Sequence, residues 1–123
     1  MAKFKFYGFT NPVAGREDEF NAWYDTTHLA DLLKVPGILS AQRFRLTEEQ
    51  RAAGPHPYRY LAVYDCEAES VGSVISELKA RSGTERMPIS DSMDTERMMF
   101  FFEPITDVIH RADPSAEGEL QLQ

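Results

Sequence analysis

Residues 98 to 102 read MMFFF, an unbroken run of five large apolar side chains. Side chains alternate across a pleated strand. A strand built from this run therefore turns Met98, Phe100 and Phe102 one way and Met99 and Phe101 the other. Both sides are apolar. Two further segments behave alike. In KFKFYGFT, residues 3–10, Phe4 and Phe6 lie opposite Tyr7 and Phe9. In YRYLAVYDC, residues 58–66, Tyr58, Tyr60, Ala62 and Tyr64 oppose Leu61 and Val63. A sheet made of these strands needs cover on both faces.

The chain supplies helices for one face only. From about Gly15 to about Leu33 the pattern is helical, with Glu17, Asp18 and Glu19 in the first turn, where negative charge suits the positive end of the dipole. The β-branched pair Thr26-Thr27 predicts a bend or break just before His28. Pro36-Gly37 ends the segment. A second helix spans Ser70–Ser82, with Val71, Val74, Ile75 and Leu78 on one face and Gly83 as its C-cap. Ile38–Thr47 reads as another strand, and the last strand lies within Arg97–Ile109. Residues 47–57 form a polar loop, and residues 83–96 are irregular.

The order β-α-β-β-α-β gives an α+β chain on the ferredoxin-like plan. Its four-stranded antiparallel sheet carries both helices on one face. The other face would expose an aromatic patch larger than soluble monomers usually carry. Packing it on a second copy, with sheets about 10 Å apart, removes the patch. The sequence thus predicts a two-fold homodimer; the alternative is a monomer whose loops and tail cover that face. Residues 1–111 are expected to form a single domain, and ADPSAEGELQLQ, residues 112–123, a mobile tail.

Charge and motifs narrow the chemistry. A net charge of −7 repels phosphate backbones and anionic lipid, so neither nucleic acid nor a membrane surface is an expected partner. Cys66 is the single cysteine, which rules out an internal disulfide. The N-terminus has no secretory h-region and no apolar run approaches a membrane span, so a cytoplasmic location is expected. His56 lies in the loop GPHP and His110 follows the last strand, neither at metal-ligand spacing, so no metal site is expected. No glycine-rich phosphate loop or GxSxG elbow occurs.

The words Asn11-Pro12, Glu19-Phe20-x-x-Trp23-Tyr24-x-x-x-His28-Leu29, Val35-Pro36-Gly37 and Ala41-Gln42-Arg43-Phe44, with RYLAVYDCE at residues 59–67, resemble the EthD-like proteins of the dimeric α/β-barrel superfamily. The resemblance runs over residues 3 to 109. It implies that fold and a homodimer. Superfamily members include cofactor-free cyclases, isomerases, dehydratases and oxygenases, and also haem-dependent enzymes, so the reaction stays open.

On a helix, His28 lies one turn from Tyr24, Asp25 and Asp31. A carboxylate there could hold one imidazole nitrogen and leave the other free as a general base, and it would push the His28 pKa upward. Tyr24 could donate to a developing enolate. Catalytic candidates are therefore His28, Tyr24, Asp25 and Asp31. The competing readings are a His28 that caps the break, a half-buried core Tyr24, and two solvated acids. Candidates for substrate contact are Tyr7, Trp23, Arg43, Tyr60, Tyr64 and Phe101. Against that, the aromatics suit a packed core, and Arg43 suits a salt bridge to an acidic helix residue. A buried Arg43 could instead hold a substrate carboxylate in a fork. Met87, Met93, Met98 and Met99 are candidates for a soft cover over an apolar pocket.

These residues support a small cofactor-independent enzyme that moves a proton on an aromatic or polyketide-like carbonyl compound, as an isomerase, cyclase or dehydratase of aromatic catabolism. One alternative is a haem-dependent monooxygenase or haem-degrading protein with His28 as axial ligand. Another is a binding or accessory protein with no chemistry.

Overall fold

A computed structural model of the chain describes residues 1–112. The expected tail falls outside the described residues except for its first position, Ala112.

The first strand, β1 (Ala2–Thr10), leads into α1 (Glu17–Trp23), a π-helical turn over Tyr24–His28, and α2 (Leu29–Leu32). Next come β2 (Ile38–Arg45), β3 (Tyr60–Ala68), α3 (Val71–Arg81) and β4 (Met98–Phe102). The strand order is β2-β3-β1-β4, every pairing antiparallel. This is the ferredoxin-like fold the sequence predicts. No helix among the described residues is long and apolar enough to cross a membrane.

Register fixes which side chains share a face. Phe6 stands opposite Tyr64 on one side and Phe101 on the other, and Tyr64 in turn faces Ala41. The neighbouring row holds Gly8, Ala62, Arg43 and Met99. These rows face the helices. Phe6 stacks on both ring neighbours, with centroids 5.0 Å from Tyr64 and 4.7 Å from Phe101. The core continues through Phe4, Phe20, Tyr24, Leu32, Val35, Tyr60 and Val74, all buried. Cys66 is buried there too, and burial pushes its thiol up to about 11, so it behaves as a small hydrophobe.

Local chemistry explains the boundaries. Ser70 caps α3 by accepting from the Ser73 N–H at 3.1 Å. Gly37 must be glycine: its φ is +98°, and an added Cβ would come within 2.9 Å of the Ala68 Cβ. The last strand coincides with the apolar run Met98–Phe102 and stops before Pro104, which has no N–H to donate.

At Thr26-Thr27 the helix does not stop. It widens. The Leu29 N–H donates to the Tyr24 carbonyl five residues back, the π-helical pattern. The Thr26 hydroxyl donates to the Ala22 carbonyl at 2.6 Å.

Candidate functional site

A cavity of about 280 Å³ lies between the sheet and the helices. Phe6 and Gly8 of β1, Tyr64 of β3, and Met99 and Phe101 of β4 form its floor. Tyr24, His28 and Leu32 form one wall, and Ile75 and Leu78 of α3 the other. Met87 and Ile89 close it from the 83–96 segment, which is tied back to the end of β1 by the bond from the Val13 N–H to the Ser92 carbonyl. The exposed lining residues Lys79, Ser82, Arg97 and Met99 mark its mouth.

The π-turn sets His28. Its wider turn brings residues five apart onto one face. Trp23 accordingly stacks on His28, with ring centroids 4.5 Å apart and planes at 23°. Tyr24 meets the same imidazole edge-on at 4.9 Å. His28 is only 6 % exposed, and its Nδ1 has no hydrogen-bond partner among the described residues. Its pKa is pushed down to about 4, first by burial and then by the positive charges of Arg97 and Arg43. The imidazole is therefore neutral at pH 7. This corrects the expected upward shift. Asp25 does not reach His28: it pairs with Arg43 at 2.7 Å. Asp31 is buried outside the cavity lining, 3.8 Å from Lys34, with its Oδ2 unpartnered.

Two phenols complete the polar part. The Tyr24 and Tyr64 hydroxyls are 3.4 Å apart. Burial raises the pKa of both, and the neighbouring Tyr24 adds to the rise at Tyr64. Both stay protonated at neutral pH. Whichever hydroxyl donates to its neighbour, the other keeps a proton for a ligand oxygen.

The remaining expected residues stand as follows. Tyr64 and Phe101 line the cavity. Tyr7 does not: it pairs with Val63 and Phe100 on the opposite face of the sheet, because it alternates with Phe6. Trp23 backs His28 without lining the cavity. Tyr60 donates to Glu17 and accepts from Asn21, which fastens α1 to β3. Arg43 donates to Asp25 and to the Asn21 side chain and lies 4.3 Å from the centroid of the Tyr24 ring, so its fork is already used. Of the four methionines, Met87 and Met99 line the cavity; Met93 is buried elsewhere and Met98 is on the opposite face. No cluster of three or more possible metal ligands occurs among the described residues.

Sequence reasoning missed Arg97, Lys79 and Gly8. Gly8 alone left a trace, a glycine inside an apolar strand, which marks close approach by something else. An added Cβ would sit 3.6 Å from the Met99 sulfur and 4.0 Å from the Tyr24 hydroxyl.

No protein-family model matches the chain, and no curated protein matches it in sequence. Solved structures do match in fold. An EthD-like protein from Ralstonia eutropha JMP134 aligns with a TM-score of 0.60 at 10 % identity, over 88 % of this chain and 97 % of that one. A dimeric ferredoxin-like protein from an uncultured marine organism aligns with 0.56 at 12 %, over 88 % and 100 %. The haem degrader MhuD from Mycobacterium tuberculosis, with two haems bound in its active site, aligns with 0.56 at 19 %, over 85 % and 98 %. The chain has the fold of the EthD-like, dimeric ferredoxin-like proteins.

Proposed function

We propose that the protein is a cofactor-independent enzyme that binds an aromatic or polyketide-like carbonyl compound in this cavity and moves a proton on it with His28. The observation that carries this reading is the buried, neutral imidazole beside the Tyr24–Tyr64 hydroxyl pair. A neutral imidazole can take a proton from carbon next to a carbonyl, and a phenol can hold the enolate oxygen that results. The apolar floor of Phe6, Phe101 and Met99 suits a flat ring and keeps water from quenching the enolate. Isomerisation, cyclisation and loss of water all begin with that step. Asp25 and Asp31 then act on the helix rather than on the reacting atoms: Asp25 holds Arg43, whose guanidinium lies over Tyr24.

In the same reading the protein works as a homodimer. The opposite face of the sheet carries Tyr7, Phe9, Phe44, Leu61, Met98, Phe100 and Phe102; residues 46–58 and 103–108 flank it, and Phe44, Met98, Phe100 and Phe102 stay exposed. Sheet-on-sheet packing with a second copy would bury it. Residues 1–111 act as one domain, and the setting is the cytoplasm, where the lone thiol of Cys66 stays reduced.

The test is deuterium exchange at the α-carbon of a panel of aryl ketones and aryl keto acids in D₂O, followed by NMR. The enzyme should accelerate exchange for at least one compound, and His28→Ala should remove the acceleration while the fold persists. Exchange no faster than buffer across the panel would contradict the reading.

A second reading has one observation in its favour. A neutral imidazole on a cavity wall can ligate haem iron, so His28 would hold the group, which would supply oxidative chemistry when bound. Titration with haemin separates the two: a Soret shift that His28→Ala abolishes supports haem binding.

A further inference from the structure

The charges around the cavity run against those of the whole chain. Acidic residues outnumber basic ones by 20 to 13. Yet among the described residues no carboxylate lines the cavity, and the two charged side chains that do, Lys79 and Arg97, are both cationic. Neither has an ion-pair partner among the described residues, whereas seven other basic–acidic pairs form elsewhere. They come from different elements, Lys79 from the last turn of α3 and Arg97 from the residue before β4, so the fold converges them on one opening.

We infer that the cavity selects an anionic aromatic ligand, whose ring lies on Phe6, Phe101 and Met99 and whose carboxylate or equivalent anion is held at the mouth by Arg97 and Lys79. This rests on the proposed function and names its substrate class. The groups facing the cavity from every side agree with it: Tyr24 and His28 from the first helical segment are uncharged, Ser82 and Tyr64 can donate, and the cations stand at the rim. An unpaired guanidinium and ammonium at an apolar mouth attract an anion from the surrounding negative surface field and reject a cation. After burial, the charge of Arg97 is the next cause of the weak basicity of His28. An anion paired with Arg97 offsets that charge and so opposes the part of the shift that Arg97 causes.

Methionine methyl NMR on the full chain reads this directly. Met87 and Met99 line the cavity, while Met98 lies on the other face of the sheet and serves as a control. The probes are 2-naphthoate and its neutral counterpart 2-acetonaphthone. We expect 2-naphthoate to shift Met87 and Met99 but not Met98, with an affinity at least tenfold above that of the ketone. Arg97→Gln and Lys79→Gln should each weaken 2-naphthoate about fivefold or more and leave the ketone within twofold. Equal affinity for the two probes at Met87 and Met99 would overturn the anion selectivity while leaving the cavity reading intact. Shifts at Met98 alone, or none at all, would overturn both. Each variant's methionine spectrum reports whether it has folded, and the wild-type comparison of the two probes needs no variant.

Discussion

The two faces of the sheet are built from the same strands and almost the same residue types, yet they have different fates. On the helix side Phe6 is 4 % exposed and Tyr64 1 %; on the other side Phe102 is 56 % exposed and Phe44 44 %. Alternation assigns each side chain to a face but not a use. The use follows from what covers the face. On the helix side the π-turn with α2 and the helix α3 leave a gap above β1 and the edge strand β4, and that gap is the cavity. On the other side residues 46–58 and 103–108 only flank the sheet, Phe44, Met98, Phe100 and Phe102 stay exposed, and a second copy is the proposed cover.

The largest expected effect sharpens that contrast. Phe6→Ala removes a ring stacked between two others and should cost about 3–5 kcal/mol in urea denaturation, with the same difference from wild type at every protein concentration. Phe100→Lys, on the other face, should leave the protomer folded and shift light scattering from dimer to monomer. A Phe100→Lys protomer that unfolds, or a wild type that is monomeric at micromolar concentration, would break the comparison.

Next comes pH. The unfolded His28 takes up a proton near 6.5, whereas the folded one resists until about 4. Its contribution is fully present above pH 6.5 and is lost as pH falls toward 4, by roughly 3 kcal/mol. Wild type and His28→Gln should therefore converge in stability by about that amount between pH 7 and 4, which isolates His28 from the carboxylates that titrate in the same window. A constant gap would mean the imidazole is not sequestered.

The smallest effect concerns Gly8. Its φ is not in the left-handed region and an added Cβ meets only ordinary contacts, so Gly8→Ala should raise stability by roughly 0.4–1 kcal/mol. The same methyl enters the cavity beside the Tyr24 hydroxyl and should weaken 2-naphthoate binding severalfold. Unchanged binding would place the ligand elsewhere.

The fold was legible because its signals are local and agree. Alternation in KFKFYGFT, the acidic first turn at Glu17–Glu19, Pro36-Gly37 and the apolar face of Val71, Val74, Ile75 and Leu78 each point to the element found there. The site was legible on the first helix at Tyr24 and His28, at Tyr64 and Phe101 on the strands, and at Met87 and Met99. Thr26-Thr27 announced an irregularity before His28, but not that the helix would continue with five-residue spacing, which pairs His28 with Trp23 and takes Asp25 toward Arg43. Tyr7 could have been set aside from its own alternation with Phe6. Arg97 and Lys79 could not be found: one is a charge before a strand, the other a lysine in a last helical turn, and only the meeting of α3 with the β4 edge gives them a common task.

His28 carries the proposed chemistry, so the first measurement is its titration by ¹⁵N–¹H NMR, assigned with His28→Gln. A neutral ring at pH 6 with a midpoint about 4 is the result predicted for a buried imidazole in an apolar, cation-rimmed cavity. A midpoint at or above 6.5 would contradict it, because the ring would then be solvated or supported by a carboxylate, and the proposed base would not be the one this fold has built.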